Sequence, residues 1–533
     1  MSYSPPLVWL AISVGSAISQ TQKSTAAFEF YITGLAFTLG LAAIGSIYTY
    51  RIISLKRGQA RRTAMNQMLS REAPDTDPPI KEKKDELSFE DLQHMRLLLD
   101  RALQPVDEFE GFEWIDQFQT AAVRYQINFI SYALSLAQSN YMPAFTGYLS
   151  QAQRNLKAKQ ESHRIWKYWR LENLWGNLRS GDDPIERDNI MYSGFVGAQL
   201  AYARQSGPRD AESLDGLQCR TKTTEYNYSQ DEMMRVLVSQ YKEADYGLLS
   251  CEPNWVYPLC NAITATAIRA HDASAGTQYW QSISAGFRHS LETEFITPGG
   301  QFIPFRSSYT GFAPPQVGGV VMQAFPCFFL NAILPDIARR QWRTLQIEMD
   351  GKDWRKKLWP ADVGNYGFSR ASSYAATALA AREMGDNKTA DLLLRYLEED
   401  CPRVLRGGVA HYSKASLWAN ANAFMAKTSR RNALRNLVTR PKKETCSGPY
   451  LEEVDPEEIL VAKARSEHGI LSLVVYPAKR SGFKTLKIAG LSPYEFYQIN
   501  LNKSETFKAL ADGTQRIHHP LKGRTEITIS KIV

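Results

Sequence analysis

The chain has 533 residues and a formal charge of +8, with 44% hydrophobic and 22% charged side chains, enough for two or three domains with ordinary globular cores. It contains no zinc-finger spacing, RNA-binding signature or basic stripe interleaved with aromatics, so nucleic acid is not an expected partner. Six spread cysteines (Cys219, Cys251, Cys260, Cys327, Cys401 and Cys446) without a Cys-x-x-Cys pair argue against a disulfide framework and against structural zinc.

The first element is FEFYITGLAFTLGLAAIGSIYTY, Phe28 to Tyr50, whose only charge is Glu29. As a helix rising 1.5 Å per residue it crosses a hydrocarbon core of about 30 Å. Tyr31, Tyr48 and Tyr50 lie near its ends, where amphipathic rings favour the interface. Arg51, Lys56, Arg57, Arg61 and Arg62 follow at once. The positive-inside rule then puts the rest of the chain in the cytosol, with the endoplasmic reticulum as the favoured membrane. A shorter apolar stretch, Pro5 to Ile18, lacks a basic leader. A second short span near residues 5–19, an interfacial helix and a signal-like segment all fit it. Residues 1–57 are thus the expected anchor. Residues 58–86, with REAPDTDPPIKEKKDE, are polar and proline-containing and are expected to form a flexible linker.

Residues 87–440 carry helical periodicity. RYQINFISYALSLAQSNYMPAF, MYSGFVGAQLAYARQSG, NAITATAIRAHD and SSYAATALAAREMGD each space apolar residues by three and four, and several stop in Gly or a Gly/Asp turn. Aromatic, Pro- and Gly-rich loops join them. Paired helices in a toroid with a loop-built pocket at one end fit this pattern, as does a generic helical array. In residues 441–533 the texture changes to short β-branched or aromatic runs: ILSLVVYP, FKTLKIAGL, YEFYQIN, ETFKAL and TEITISKIV. These predict five or so strands from about residue 455, a small β-rich accessory domain.

Three segments resemble linalool dehydratase/isomerase. DPIERDNIMYSGFVG (Asp183 to Gly197) is similar to that family's DPIEKENIMYKGH, and CEPNWVYPLCN (Cys251 to Asn261) to its CEPDNYFVQCN, with both cysteines at the same separation. ALAAREMGD (Ala378 to Asp386) resembles a late helix, with weaker likeness in RYQINFISYALSLA and HRIWKYWRLEN. The resemblance covers roughly residues 90 to 430. It implies an (α/α)6 barrel that acts without a cofactor or metal on a hydrophobic isoprenoid. It further implies that Cys251 and Cys260 are the active-site cysteine pair, with Glu252, Met191 and Tyr125 beside them and Asp100 as an early acidic residue. Two departures stand out: Phe195 replaces the histidine that ends the family's NIMYKGH motif, and Val321 stands where the family has a pocket tyrosine. No tyrosine follows shortly after Asp100. The resemblance therefore points to retained scaffold and re-aimed chemistry.

Protonating an alcohol, alkene or epoxide requires an acid, a dry pocket and a base. A carboxyl group in apolar surroundings stays protonated near neutral pH. Glu252 is the leading candidate acid, with Asp100 and Asp188 behind it. Cys251 and Cys260 are weak donors suited to relaying a proton. Aromatic faces steady passing positive charge by roughly 0.5–2 kcal/mol each. Tyr125, Tyr192, Phe195, Trp255 and Tyr257, with Met191, are the expected substrate-binding residues. Asp182-Asp183 is only a pair, so the aspartate-rich magnesium motif of diphosphate-ionising synthases is missing, and no phosphate loop or Ser-His-Asp elbow occurs. The leading expectation is a membrane-bound terpenoid or meroterpenoid cyclase, dehydratase or isomerase, with a homo-oligomer left open. A carbohydrate-active helical toroid and a non-catalytic binding scaffold are the competing readings.

Overall fold

In a computed structural model, the structure describes residue 13 and residues 26–71, 85–116, 121–207, 214–314, 319–359, 367–440, 448–501 and 504–532. The apolar N-terminal run lies in helix α1 (Ala26–Arg71), 46 residues long. Its stretch from Gly34 is long and apolar enough to cross a membrane, and Leu35, Leu39, Ile47 and Tyr50 project from it unburied. Apart from residue 13, the proposed second span at 5–19 lies outside the described residues.

The expected linker at 58–86 needs correction over its first part, because residues 58–71 continue α1. That stretch is rich in Ala, Arg, Gln and Met, all good helix formers, so the helix has no local reason to stop. It also docks: Gly58 lies so close to Pro298 and Gly299 that an added Cβ would sit 2.6 Å from their backbone. Met65 is buried nearby on the same helix.

The body is built from α2 (Phe89–Ala102), α3 (Val123–Tyr141), α4 (Gly147–Glu161), α5 (Tyr168–Asn177), α6 (Ser193–Ser206), α7 (Gln230–Glu243), α8 (Pro258–Ala275), α9 (Tyr279–Glu294), α10 (Val321–Ile333), α11 (Pro335–Met349), α12 (Ala371–Glu383), α13 (Asn387–Asp400), α14 (Leu417–Thr428) and α15 (Ala433–Thr439). Six of these pack in a closed cycle: α3 on α6, then α8, α10, α12 and α14, which returns to α3. Helices α2, α4, α7, α9, α11 and α13 lie against members of that cycle. Ring helices are enclosed on all sides, which explains why α12 reads as ASSYAATALAARE with every residue buried. Small side chains let such helices approach. On α6, a Cβ at Gly194 would strike Thr264, and one at Gly197 would meet the Met234 side chain at 2.9 Å.

Helix α15 packs against α3, α6, α8 and α10 and plugs one end of the ring. Its first free backbone N–H groups need acceptors, and Glu383 of α12 supplies them. Leu434 N and Arg435 N donate to its carboxylate at 3.0 and 3.2 Å, and Asn331 Nδ2 donates at 2.8 Å. Burial outweighs these donors and raises Glu383 from 4.5 to about 7. A folded value above the unfolded one means that the protonated form stabilises. That contribution is present below about 4.5 and is lost as pH rises towards 7. Glu383→Gln keeps the shape without titrating, so thermal melts across this window are expected to vary less with pH than wild type, by roughly a few degrees. Identical slopes would refute the assignment.

Short hairpins decorate the ring: β1 (Leu217–Arg220) with β2 (Glu225–Tyr228), β3 (Ser250–Glu252) with β4 (Trp255–Val256) and β5 (Arg306–Ser307), and β6 (Arg403–Arg406) with β7 (Val409–Tyr412). Among the described residues the C-terminal region holds eight strands, against the five or so expected: β8 (Tyr450–Glu453), β9 (Ile459–Glu467), β10 (Ile470–Pro477), β11 (Gly482–Ala489), β12 (Phe496–Asn500), β13 (Ser504–Lys508), β14 (Gln515–Leu521) and β15 (Thr525–Lys531). They form antiparallel sheets in the orders β13-β12-β15-β10-β9 and β14-β11-β8. The strands missing from the expectation have little apolar alternation. β14, QRIHHPL, is a half-exposed edge, and β9 is buried on both faces at its start. This region is latched to the C-terminal end of α3. Ala144 N donates to Ala464 O at 3.0 Å, Leu451 N to Ala144 O at 2.9 Å, and Arg465 to Asn140 O at 2.6 Å.

Candidate active site

At the end of the ring opposite the plug lies a cavity of about 270 Å³. It is lined by residues near the first turns of five ring helices: Tyr125 and Phe129 (α3), Phe195 (α6), Leu259, Cys260 and Ile263 (α8), Met322 and Phe325 (α10) and Trp418 (α14). Met191, Glu252, Tyr257, Asp116 and Ala122 close it from the preceding loops. The rings interlock: Phe129 lies 5.1 Å and Phe325 5.6 Å from Trp418, and Tyr125 5.7 Å from Phe195. The free N–H ends of these helices favour negative charge. This lets a carboxyl group that has given up its proton remain in an otherwise apolar chamber.

The cysteine-bearing segment is a strand, a turn and a helix start. Asn254 turns the chain at φ +78° between β3 and β4, and Ser307 Oγ donates to its side chain at 2.6 Å. Pro258 occupies the first position of α8. Asn261 fixes the loop to the helix, accepting from Leu249 N at 2.8 Å and donating to Leu249 O and Tyr257 O, each at 2.9 Å. These bonds hold Glu252 and Cys260 on the cavity wall. The Cys251 thiol lies next to Cys260 behind that wall, and burial, then this neighbour, pushes its pKa well up, so it stays neutral. Both thiols are free.

Burial raises the Glu252 carboxyl above its usual range, and Arg124 opposes the rise. Arg124 is 2% exposed. Its guanidinium lies 4.0 Å over the Tyr168 ring and donates to Tyr125 Oη at 2.9 Å, while that hydroxyl sits 3.3 Å from Met191 Sδ. Glu172, on α5, completes the charge cluster. Burial lifts it to about 7, Arg124 lowers it and Glu252 raises it further.

Of the expected site residues, Tyr125, Met191, Phe195, Glu252, Tyr257 and Cys260 come together, with Cys251 one layer behind. Three do not line the cavity. Asp100 faces the β-rich side, paired with Arg96 at 2.6 Å, because it lies one helix too early in the chain. Tyr192 is spent on the core, donating to Gln160 O at 2.7 Å. Trp255 points along the hairpin, edge-on to Phe305 at 5.4 Å. Asp188 is held by Arg187 and borders a separate polar surface cavity. Asp182 and Asp183 accept from Tyr226 and Tyr228, a structural use of that pair. Sequence reasoning missed Asp116, Phe129, Met322, Phe325 and Trp418 on the wall, and Arg124 and Glu172 behind it. Arg124, Phe129, Glu172, Phe325 and Trp418 carry the local signal of a charged or aromatic residue near a helix start, whereas Asp116 and Met322 carry none.

The sequence profile described as linalool dehydratase/isomerase matches residues 124–418, from the α3 start that carries Arg124 and Tyr125 to Trp418. The chain belongs to the linalool dehydratase/isomerase family. Among solved structures it is similar to an unsaturated glucuronyl hydrolase specific for heparin, at 9% identity and TM-score 0.42, over 66% of this chain and 98% of that one. It is also similar to an unsaturated glucuronyl hydrolase from Streptococcus agalactiae, at 11% identity and TM-score 0.39, over 66% and 96%. A third likeness is to a GH127 β-L-arabinofuranosidase from Geobacillus stearothermophilus, at 11% identity and TM-score 0.25, over 90% and 80%. Linalool dehydratase/isomerase is an enzyme family of dehydratase and isomerase type, so this chain is read as an enzyme. Within the family frame, Phe195 lines the cavity, 4% exposed, at the position the resemblance gives to histidine. Val321 opens α10 beside the lining residue Met322.

Proposed function

We propose that this chain is a cofactor-independent cyclase, dehydratase or isomerase that works by protonation and elimination on an isoprenoid substrate. Its catalytic unit, residues 87–440, is taken as an (α/α)6 barrel, tethered by α1 to a membrane with the barrel on the cytosolic side. One observation carries the reading: Glu252, its carboxyl pushed towards the protonated form, stands beside Cys260 in a chamber walled by Phe129, Phe195, Phe325 and Trp418. In a dehydration, the Glu252 O–H proton passes to the substrate hydroxyl and the C–O bond breaks. Water departs with the electron pair. The aromatic faces steady the carbocation. A proton from the adjacent carbon then returns to a carboxylate, leaving an alkene. The helix N-termini and Arg124 hold that carboxylate between the two transfers. Cyclisation opens instead with Glu252 protonating an alkene or an epoxide: the π or C–O bond that breaks leaves a cationic carbon, a second double bond attacks it, and loss of a proton from an adjacent carbon to the carboxylate closes the sequence.

The test uses membranes holding the full chain, offered isoprenoid alcohols, epoxides and prenylated aromatics. Products lost in Glu252→Gln and altered in Phe195→His are expected. Phe195→His puts a hydrogen-bonding ring 5.7 Å from Tyr125 and is expected to divert intermediates to water-quenched alcohols, read as a changed product ratio by gas chromatography. No product from any of these substrate classes would dismiss the reading. An unchanged ratio in Phe195→His would remove Phe195 from the shaping role.

A further inference from the structure

Helix α5 has two unlike faces. Inwards it carries Trp169 and Asn173, both buried, and Tyr168, whose ring lies under Arg124 of the charge cluster. Outwards it presents Leu171, Leu174, Trp175 and Leu178, exposed by 60, 50, 78 and 86%. Their spacing of three and four residues makes one apolar stripe on a surface helix. Soluble surfaces rarely gather such a stripe without a partner. Leu178 ends the helix in the left-handed region at φ 54°, where glycine or asparagine is the unstrained choice. A bulky apolar residue is therefore kept there against its backbone preference.

Further exposed apolar side chains lie at the same end of the ring. Trp114 and Ile115, just before Asp116 of the cavity wall, are 37 and 66% exposed, and Arg164 lies 4.3 Å over the Trp114 ring. Tyr309, 64% exposed, donates to Gly176 O of α5 at 2.5 Å. Lys167, Arg170 and Arg179 flank the stripe in sequence. An apolar face with basic flanks matches the boundary between acyl chains and anionic headgroups.

The docking point of α1 lies at the same end of the ring. The segment that receives Gly58 at Pro298–Gly299 lies against the first turn of α10, where Phe302 N donates to Gln323 Oε1 at 2.6 Å. Gly58 lies eight residues further along the helix than Tyr50, a rise of roughly 12 Å. The anchor therefore holds this end of the ring within reach of the bilayer surface.

We propose that the outer face of α5, with Trp114 and Ile115, docks into the headgroup–acyl boundary of the bilayer that α1 crosses. The cavity mouth is thereby set against the lipid, so that an apolar substrate enters sideways without crossing water. The proposal rests on the membrane-tether reading of α1, and the experiment separates the two.

The full chain is reconstituted in vesicles of phosphatidylcholine with phosphatidylserine. Single labels carrying an environment-sensitive fluorophore are placed by Leu174→Cys, Ile44→Cys and Phe483→Cys, the last on the β-rich side, and lipid-borne nitroxide is added. Roughly twofold or greater quenching at positions 174 and 44, with none at 483, is the expected result. Quenching at 44 alone overturns the docking and leaves the tether standing. Quenching at neither overturns both. Disulfide pairing of Leu174→Cys between chains without lipid quenching assigns the stripe to a second copy and also overturns the docking. Omitting phosphatidylserine is expected to weaken quenching at 174 and to leave that at 44 unchanged.

Discussion

Glu252→Gln is expected to lower product formation by about 10²–10⁴-fold, the usual worth of a positioned general acid, with the fold intact. Gln preserves shape and removes the proton. Glu252 is half-buried and receives no hydrogen bond from a described side chain that an amide would break. The melting temperature is therefore expected to move by no more than about 3 °C. Rate by gas chromatography and melting by circular dichroism check both halves. A variant retaining a tenth or more of wild-type rate, on the scale of the cited effect, would pass the acid role to Asp116, the other carboxyl of the cavity wall.

Arg124→Met is expected to act through the same proton. The guanidinium opposes the rise that burial imposes on Glu252 and on Glu172. Removing a cation favours the neutral acid, so both carboxyl groups shift further up. Activity that needs protonated Glu252 falls as pH rises through its folded-state value. In Arg124→Met this alkaline limb is expected to move to higher pH. The plateau rate is expected to drop about tenfold, because Tyr125 loses its donor at 2.9 Å and is no longer held against Met191. Removing one partner of a buried charge cluster is normally destabilising, but Glu172 and Glu252 can each take up a proton instead, so the loss of stability is expected to be largest at high pH and to shrink as pH falls. A pH–rate profile is the decisive measurement. A limb that stays in place would mean that Arg124 does not face the titrating acid, whatever happens to the rate.

Much of the site was legible because chemistry and local geometry share one segment. Cys251, Glu252, Tyr257, Cys260 and Asn261 lie within a strand, a turn and a helix start, where short-range hydrogen bonds decide the arrangement. Met191 and Phe195 were reached through a second such segment. The failures share a different cause. Asp100 rests on the resemblance alone, and α2 turns it towards Arg96 and the β-rich side. Tyr192 and Trp255 neighbour true lining residues but point to opposite sides of their elements, which only a fixed helix phase and hairpin twist can reveal.

The sequence by itself determined the long apolar segment, the helical body, the change to strands near the C-terminus and the cysteine-bearing loop. Each is written in local periodicity or in a contiguous motif, where propensity and short-range bonding decide. Only the tertiary structure decided that Arg124, Glu172 and Glu252 act on one another, that Phe325 and Trp418 complete the chamber, and that α1 runs on to dock at Pro298–Gly299. The ring helices are buried all round, so their patterns carry no face. Which first turns meet at the cavity depends on how the six helices close, a long-range condition that no local window contains.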